Sequence, residues 1–250
     1  MKIKTIALLL VTTILLSCND EDDTTTKQVS CLPTNLQTNI LAFYPFNNGS
    51  INDFSGNNYN LTNPTTASSG ADRSGNSNCA FNFVAANDDF LKYVNPTFLD
   101  DIQSGPFSIS IWYNSLNEGT NLMTRGNISG NCHGGIGEWS VTLWDNNWPS
   151  LFINSFRIIG VTPGGTSQIN EWHHVVVTGN ISDLKVYQDG VLIQDIENVV
   201  CSTGASPSLN IGDLFLGENF TGKLDDVIIY NRVLSQTEIS QLYNLPACCE

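Results

Sequence analysis

Residues 184–193, LKVYQDGVLI, place alternating apolar and polar side chains on either side of Asp189-Gly190. Alternation puts Leu184 and Val186 on one face and Lys185 and Tyr187 on the other. An Asp-Gly pair supplies the two positive-φ positions of a type I′ turn, so the stretch predicts an antiparallel hairpin. The same alternation recurs outward from it, in Phe107-Ser108-Ile109-Ser110-Ile111 and in Trp139-Ser140-Val141-Thr142-Leu143. Polar, Gly-rich segments separate these runs, and no long helical periodicity interrupts them. Such a chain predicts an all-β sandwich or barrel in which each strand buries one face. One short C-terminal helix is expected: Ser235-Gln236-Thr237-Glu238 forms a capping box, and Ile239, Leu242 and Tyr243 follow on one face.

The start of the chain reads as a targeting signal. Met1, Lys2 and Lys4 precede an apolar run from Ile6 to Leu16, far short of the roughly 20 residues a spanning helix needs. Leu15-Leu16-Ser17-Cys18 resembles a bacterial lipobox, which implies a signal peptide over 1–17 and a lipid-bearing Cys18 that attaches the chain to a membrane. Residues 18–38 follow as an acidic, Thr-rich tether, beginning Asn19-Asp20-Glu21-Asp22-Asp23, with too few apolar residues to pack. That segment resembles the one that sends Bacteroidetes lipoproteins to the outer face of the outer membrane, so a surface-exposed outer-membrane lipoprotein is expected. The folded domain is expected over 39–250.

Cysteine content and charge fit an exported protein. Beyond Cys18, six cysteines remain, Cys31, Cys79, Cys132, Cys201, Cys248 and Cys249. An even number in an oxidising compartment predicts disulfides, with the pairing open. Zinc is the rival reading, but no C-x-x-C pair occurs and Cys132-His133 has no matching partner nearby. The formal net charge of −14 opposes phosphate backbones, which excludes nucleic acid as the expected partner.

Six segments occur in order: Leu41-Ala42-Phe43-Tyr44-Pro45-Phe46, Asp53-Phe54-Ser55-Gly56-Asn57, Phe107 to Trp112, Trp172-His173-His174-Val175-Val176-Val177, Val186-Tyr187-Gln188-Asp189-Gly190, and Gly222 to Ser235. Together they resemble the bacterial LamG-like branch of the concanavalin A-like lectin/glucanase superfamily. The resemblance runs from about residue 40 to 243 and implies a jelly-roll sandwich of two antiparallel sheets.

The resemblance also implies a structural Ca²⁺ held by Asp53, Asn58 and carbonyls near Ser55 and Asn60, closed by Asp225. Calcium takes six to eight oxygens at flexible geometry, and a turn rich in Asp and Asn offers several. With Val227 and Ile229 facing in, alternation turns Asp225 inward as well and Asp226 to solvent, although Ile228 and Tyr230 would then share the solvent side. The competing reading is a loop in which Asp53 and Asn58 bond backbone amides.

A fold of this type hosts many functions. Carbohydrate binding is the first expectation: Trp144-Asp145-Asn146-Asn147-Trp148 offers aromatic faces and amides in a turn, and Tyr59 with Asn60 would join from another loop. Trp144 also continues an alternating strand, so sheet packing competes for it. A protein-interaction or adhesion module is the second expectation. A glycoside hydrolase is the third, and would need two opposed carboxylates. The strand motif Glu-x-Asp-x-Glu of laminarinase-type relatives is broken at Ile193 in Ile193-Gln194-Asp195-Ile196-Glu197. Glu118, Glu138, Glu171 and Glu218 show no pairing in sequence, so no catalytic residue is assigned. His173 and His174 are adjacent on a strand and should face opposite ways.

Overall fold

The computed structural model describes residues 31–103, 105–126, 139–144, 147–153, 156–159, 168–180, 183–196 and 212–249. Two antiparallel sheets form a sandwich. The strands are β1 (Ile40–Tyr44), β2 (Ser68–Gly70), β3 (Ala80–Phe83), β4 (Leu91–Tyr93), β5 (Phe107–Ser115), β6 (Thr120–Arg125), β7 (Trp139–Trp144), β8 (Trp148–Ile153), β9 (Phe156–Ile159), β10 (Trp172–Asn180), β11 (Asp183–Gln188), β12 (Val191–Ile196), β13 (Leu214–Leu216) and β14 (Gly222–Tyr230). One α-helix among the described residues, α1 (Gln236–Asn244), follows them. The first sheet runs β12-β11-β10-β5-β14-β3-β2, with β1 also on β14; the second runs β4-β13-β6-β7-β8-β9.

Strand alternation builds the core between the sheets. Phe107, Ile109, Ile111 and Tyr113 of β5, Val175 and Val177 of β10, and Trp139, Val141 and Leu143 of β7 all enter it. The predicted hairpin forms: Asp189 (φ 51°) and Gly190 (φ 77°) connect β11 to β12 with both residues left-handed. The capping box forms too, Ser235 N–H donating to Glu238 and the Glu238 N–H to Ser235 Oγ.

The other face of the first sheet is apolar as well, and a second core covers it. Phe43, Val176, Tyr187, Ile228 and Tyr230 pack there against Leu32 and Leu36 of the N-terminal segment and Leu234, Ile239 and Leu242 of the helix region. Ile228 and Tyr230 therefore face away from the sandwich interior yet stay dry. Two disulfides, Cys31–Cys248 and Cys79–Cys249, fasten the chain ends over this side. Cys132 and Cys201 lie outside the described residues.

One departure from strict alternation decides the site geometry. The register of β14 on β5 runs Asp225↔Trp112 and then Ile228↔Ser110, so one extra residue is inserted at Asp225-Asp226, and Asp226 takes a left-handed φ of 42°. This is a bulge, in which two residues oppose one. It sits where β14 changes partner, from β3 at Gly222 to Leu224 to β1 at Val227 to Tyr230.

Candidate functional site

The loop after β1 builds a closed acceptor. Asp53 Oδ1 accepts from the N–H groups of Phe43 and Ser55, at 2.9 and 2.8 Å. Its Oδ2 accepts from Ser55 Oγ and Tyr59 N–H, at 2.8 and 3.0 Å. An ionised carboxylate has about four lone-pair sites, and four donors fill them. Asn60 Oδ1 is likewise taken, by the N–H of Asp53, while Asn58 is exposed and turns its Nδ2 to Gly56 O. Asp225 is held elsewhere. The carboxylates do not fit the expected Ca²⁺: those of Asp53 and Asp225, which should meet a cation, meet N–H and O–H donors instead.

Asp225 and Asp226 form the second cluster, and both expectations about their facing are corrected. Asp225 is paired with Trp112, which belongs to the outward side of β5, so it points away from Val227 and Ile229. Asp226 is buried, not exposed. The bulge removes the alternation on which the expectation rested and turns both carboxylates toward Arg73. Arg73 Nη1 lies 2.7 Å from an oxygen of each, and its Nη2 donates to Leu245 O and Pro246 O. The guanidinium rests on the Trp112 ring, 4.3 Å from its centroid. Cys248 N–H also donates to Asp226.

Two carboxylates sharing one cation leave an excess negative charge. Burial and the neighbouring Asp226 push Asp225 well above the usual carboxylate range against the pull of Arg73. Burial likewise pushes Asp226 up, opposed by Arg73. Beside the cluster, Asp72 accepts from Ser74 and Asn76 N–H. It lies with Cys79 and Cys249 in a group of ligand atoms within 4.8 Å of one another, but the two sulfurs are bonded to each other.

His173 and His174 do face opposite ways. His174 is on the covered side, its Nε2 2.8 Å from Ser110 Oγ and its ring stacked on Trp112. Burial, and then the charge of Arg73, lower its pKa to about 3, so the ring is neutral. A small cleft between these groups and the tail residues Leu245, Pro246 and Cys248 has room for about one water. His173 is on the opposite side, 2.8 Å from Asp189 through Nδ1. Burial lowers its pKa, but the bond to Asp189 outweighs it and the pKa ends above the ordinary value.

The outer face of the second sheet carries the ligand-binding candidates. Trp139, Val141 and Leu143 enter the core, so Ser140, Thr142 and Trp144 face outward. Their partners on β8 are Phe152, Ser150 and Trp148. Thr124 of β6 lies beside Ser140, and Phe215 of β13 beside Thr124. The result is a row of hydroxyls with indoles at one end and Phe215 on the β13 side. Thr142 and Ser150 bond through their hydroxyls, whereas Ser140 Oγ has no hydrogen-bond partner among the described residues.

Accessibility concentrates at the indole end. Thr124, Ser140 and Ser150 are buried, while Trp144 is 39% exposed and Trp148 half-buried. Asn147 turns the hairpin in left-handed conformation (φ 57°) and is buried with both amide atoms unpartnered among the described residues. Asn146 lies outside the described residues. Tyr59 does not join this end: its ring is stacked on Phe98, centroids 3.7 Å apart, and is edge-on to Tyr93. Sequence reasoning found Trp144 and Trp148 but missed the hydroxyl row. Its signal was the polar half of the Trp139–Leu143 alternation, since Ser140 and Thr142 must share the face of Trp144.

The carboxylates named for the hydrolase expectation do not come together as a pair among the described residues. Asp195 sits on the edge strand β12, ion-paired with Lys185. Glu197 and Glu138 lie outside the described residues, Glu118 and Glu171 are exposed, and Glu218 accepts weakly from Thr124 Oγ1 at 3.4 Å.

Comparison with known proteins agrees with this architecture. None of the curated proteins matches the chain. A structure of botulinum neurotoxin type C, a toxin that enters cells in dependence on two ganglioside molecules, superposes with a TM-score of 0.59 at 16% identity, over 84% of this chain and 52% of the other. Domain 4 of AbnA, a GH43 extracellular arabinanase from Geobacillus stearothermophilus, in complex with arabinotriose, gives 0.56 at 19% identity, over 82% and 98%. The binding domain of botulinum neurotoxin DC with rat synaptotagmin II gives 0.56 at 17%, over 83% and 52%. The chain thus spans about half the length of the toxin chains and nearly all of the arabinanase domain. At such identities the likeness is one of fold. The family model Laminin_G_3, of the concanavalin A-like lectin/glucanases superfamily, matches residues 85–240, and the chain belongs to that family.

Proposed function

We propose that this chain is an exported module, anchored through lipid on Cys18 at the outer membrane and exposed at the cell surface, that binds a neutral glycan at the Trp144–Trp148 end of the second sheet. The observation that carries the reading is the pairing of two indoles across one hairpin, Trp144↔Trp148, on the same face as Thr142 and Ser150. Aromatic faces take the apolar edges of sugars, and adjacent hydroxyls and amides take their hydroxyl groups. The acidic balance of the chain, −14, disfavours polyanionic glycans. In this reading the module binds rather than cleaves: Glu218, beside the hydroxyl row, accepts from Thr124 Oγ1, and Asp195 lies on the first sheet, paired with Lys185.

Two neighbours support the reading: one is a domain in complex with arabinotriose, the other a toxin dependent on gangliosides. A protein partner is the second reading, favoured by the toxin domain in complex with synaptotagmin II. Affinity electrophoresis through gels containing β-glucans, mannans, xylans or arabinans separates the two. Retardation by one polymer, reversed by its soluble oligosaccharide, is the result expected of a glycan-binding module. Uniform migration in every gel would instead favour the protein partner.

A further inference from the structure

The disulfides place the point where the N-terminal segment joins the domain on the side opposite the indole face. Cys31 and Leu32 pack in the second core, on the outer side of the first sheet, whereas Trp144 faces outward from the second sheet. A polymer held at Trp144 and a tether arriving at Cys31 therefore pull across the whole sandwich. We propose that the paired disulfides at Cys248 and Cys249 form a clamp that carries this tension. The clamp deepens the proposed function and rests on it, since it presumes a chain held from its N-terminal side.

The connectivity shows what the clamp prevents. Without a bond at Cys31, tension would reach β1 through non-covalent contacts of residues 32–38, where Tyr230 and Arg232 donate to the carbonyls of Leu36, Thr38 and Asn35. Among the described residues β1 pairs with β14 alone, beginning at Ile40↔Tyr230, and its hydrogen bonds would open one pair at a time from that end. Cys31–Cys248 passes the pull instead to the C-terminal tail, and Cys79–Cys249 passes it on to the start of β3. Because Cys248 and Cys249 are consecutive, both bridges meet across one peptide bond. Three segments leave this knot: the run into β1, the run back through α1 to β14, and β3. They belong to one sheet, with β14 bonded to β5, β3 and β1. Strands loaded together must fail together, whereas β1 alone would peel.

The knot is also pinned to the bulge of β14. Arg73 donates to Leu245 O and Pro246 O while bridging Asp225 and Asp226, and Cys248 N–H donates to Asp226. The buried ion cluster thus fastens the tail to the central strand at the point where β14 exchanges β3 for β1. This gives the cluster a purpose that the ligand face does not supply.

Single-molecule force spectroscopy on the full oxidised chain, held at its N-terminal segment and at a click-reactive residue at position 144, tests the clamp without any ligand. Through the bridges, the covalent path from Cys31 to position 144 re-enters the backbone at Cys79 and spans roughly 65 residues, about 230 Å when extended; along the backbone it spans roughly 110 residues, about 400 Å. The oxidised wild type should rupture in one step and extend by no more than about 230 Å beyond its tether. A Cys31→Ser/Cys248→Ser variant should yield first at lower force, then extend to about 400 Å in total. Should that variant not fold, reductant added to folded wild-type molecules provides the same comparison. Wild-type extension to about 400 Å overturns the clamp, as does rupture of the unbridged molecule in one step at the wild-type force. Glycan retention with an unchanged rupture force would refute the clamp alone; a lowered force without glycan retention would refute the glycan reading alone.

Discussion

Replacement of Arg73 by Ala tests the account of the buried cluster. Among the described residues Arg73 is the one cation that faces Asp225 and Asp226, at 2.7 Å from each, with side-chain exposures of 8%, 1% and 9% for the three groups. Removing one partner from a buried ion pair costs about 3–5 kcal/mol, because the remaining charge is left uncompensated. Loss of the stacking on Trp112 adds roughly 1 kcal/mol, and the two tail carbonyls lose donors worth about 1 kcal/mol each. Arg73→Ala should therefore destabilise by about 6–8 kcal/mol at pH 7, a large share of the roughly 5–15 kcal/mol that holds a domain folded. Urea unfolding followed by tryptophan fluorescence measures it, with the midpoint read at pH 7 and pH 5. In the variant two carboxylates oppose each other without a cation, so its native state binds protons more tightly than its unfolded state, and its stability rises as pH falls. The deficit should narrow at pH 5. A loss below about 1 kcal/mol at pH 7, or a deficit that widens at pH 5, would refute the reasoning.

Other outcomes follow from the same contacts. Asp225 and Asp226 titrate above the usual carboxylate range, so their contribution is fully present below about pH 4 and is lost as pH rises through the raised values; Asp225→Asn should flatten that decline in a pH series of urea midpoints. Asp53→Ala leaves Phe43, Ser55 and Tyr59 N–H without their acceptor and should cost about 3 kcal/mol or more, while EDTA should leave the wild-type melting temperature unchanged; a clear fall on chelation would restore the Ca²⁺ reading. Ser235→Ala removes the cap of α1, with an expected loss of about 1 kcal/mol and a fall in Tm of roughly 2–4 °C by calorimetry.

Local chemistry was legible in the sequence, and non-local geometry was not. Asp189-Gly190 and Ser235 with Glu238 specify a turn and a cap within a few residues, and both form. Alternation likewise placed Phe107, Ile109 and Ile111, because period two holds wherever the ladder is regular. It failed at Asp225-Asp226, where the inserted residue depends on β14 exchanging one neighbour for another. That exchange involves β3 and β1, far apart in sequence.

The Asp53 loop shows a different limit. Its composition announced a polar turn, but the same Asp serves a cation or a set of N–H groups depending on where Phe43 and Tyr59 direct theirs. Arg73 carried no signal, since a lone Arg in a Gly- and Ser-rich loop reads as solvated. The cysteine pairing was unreadable for a similar reason, because Cys31 meets Cys248 only after both chain ends have folded over the first sheet. Trp144 and Trp148 were found because they lie close in sequence across one hairpin; Phe215 was missed because it reaches the same face from β13.

The ratio of dissociation constants for wild type and Trp144→Ala, taken from gel retardation across a series of polysaccharide concentrations, tests the central claim most directly. A Trp side chain has roughly 150–250 Å² to bury. With 39% of Trp144 exposed, a sugar stacked on it covers up to about 60–100 Å², worth about 1.5–2.5 kcal/mol at 25 cal/mol per Å². The account predicts retardation of the wild type by a neutral polysaccharide and binding at least about tenfold weaker in the variant. Equal retardation of both proteins, or none of either, would contradict it.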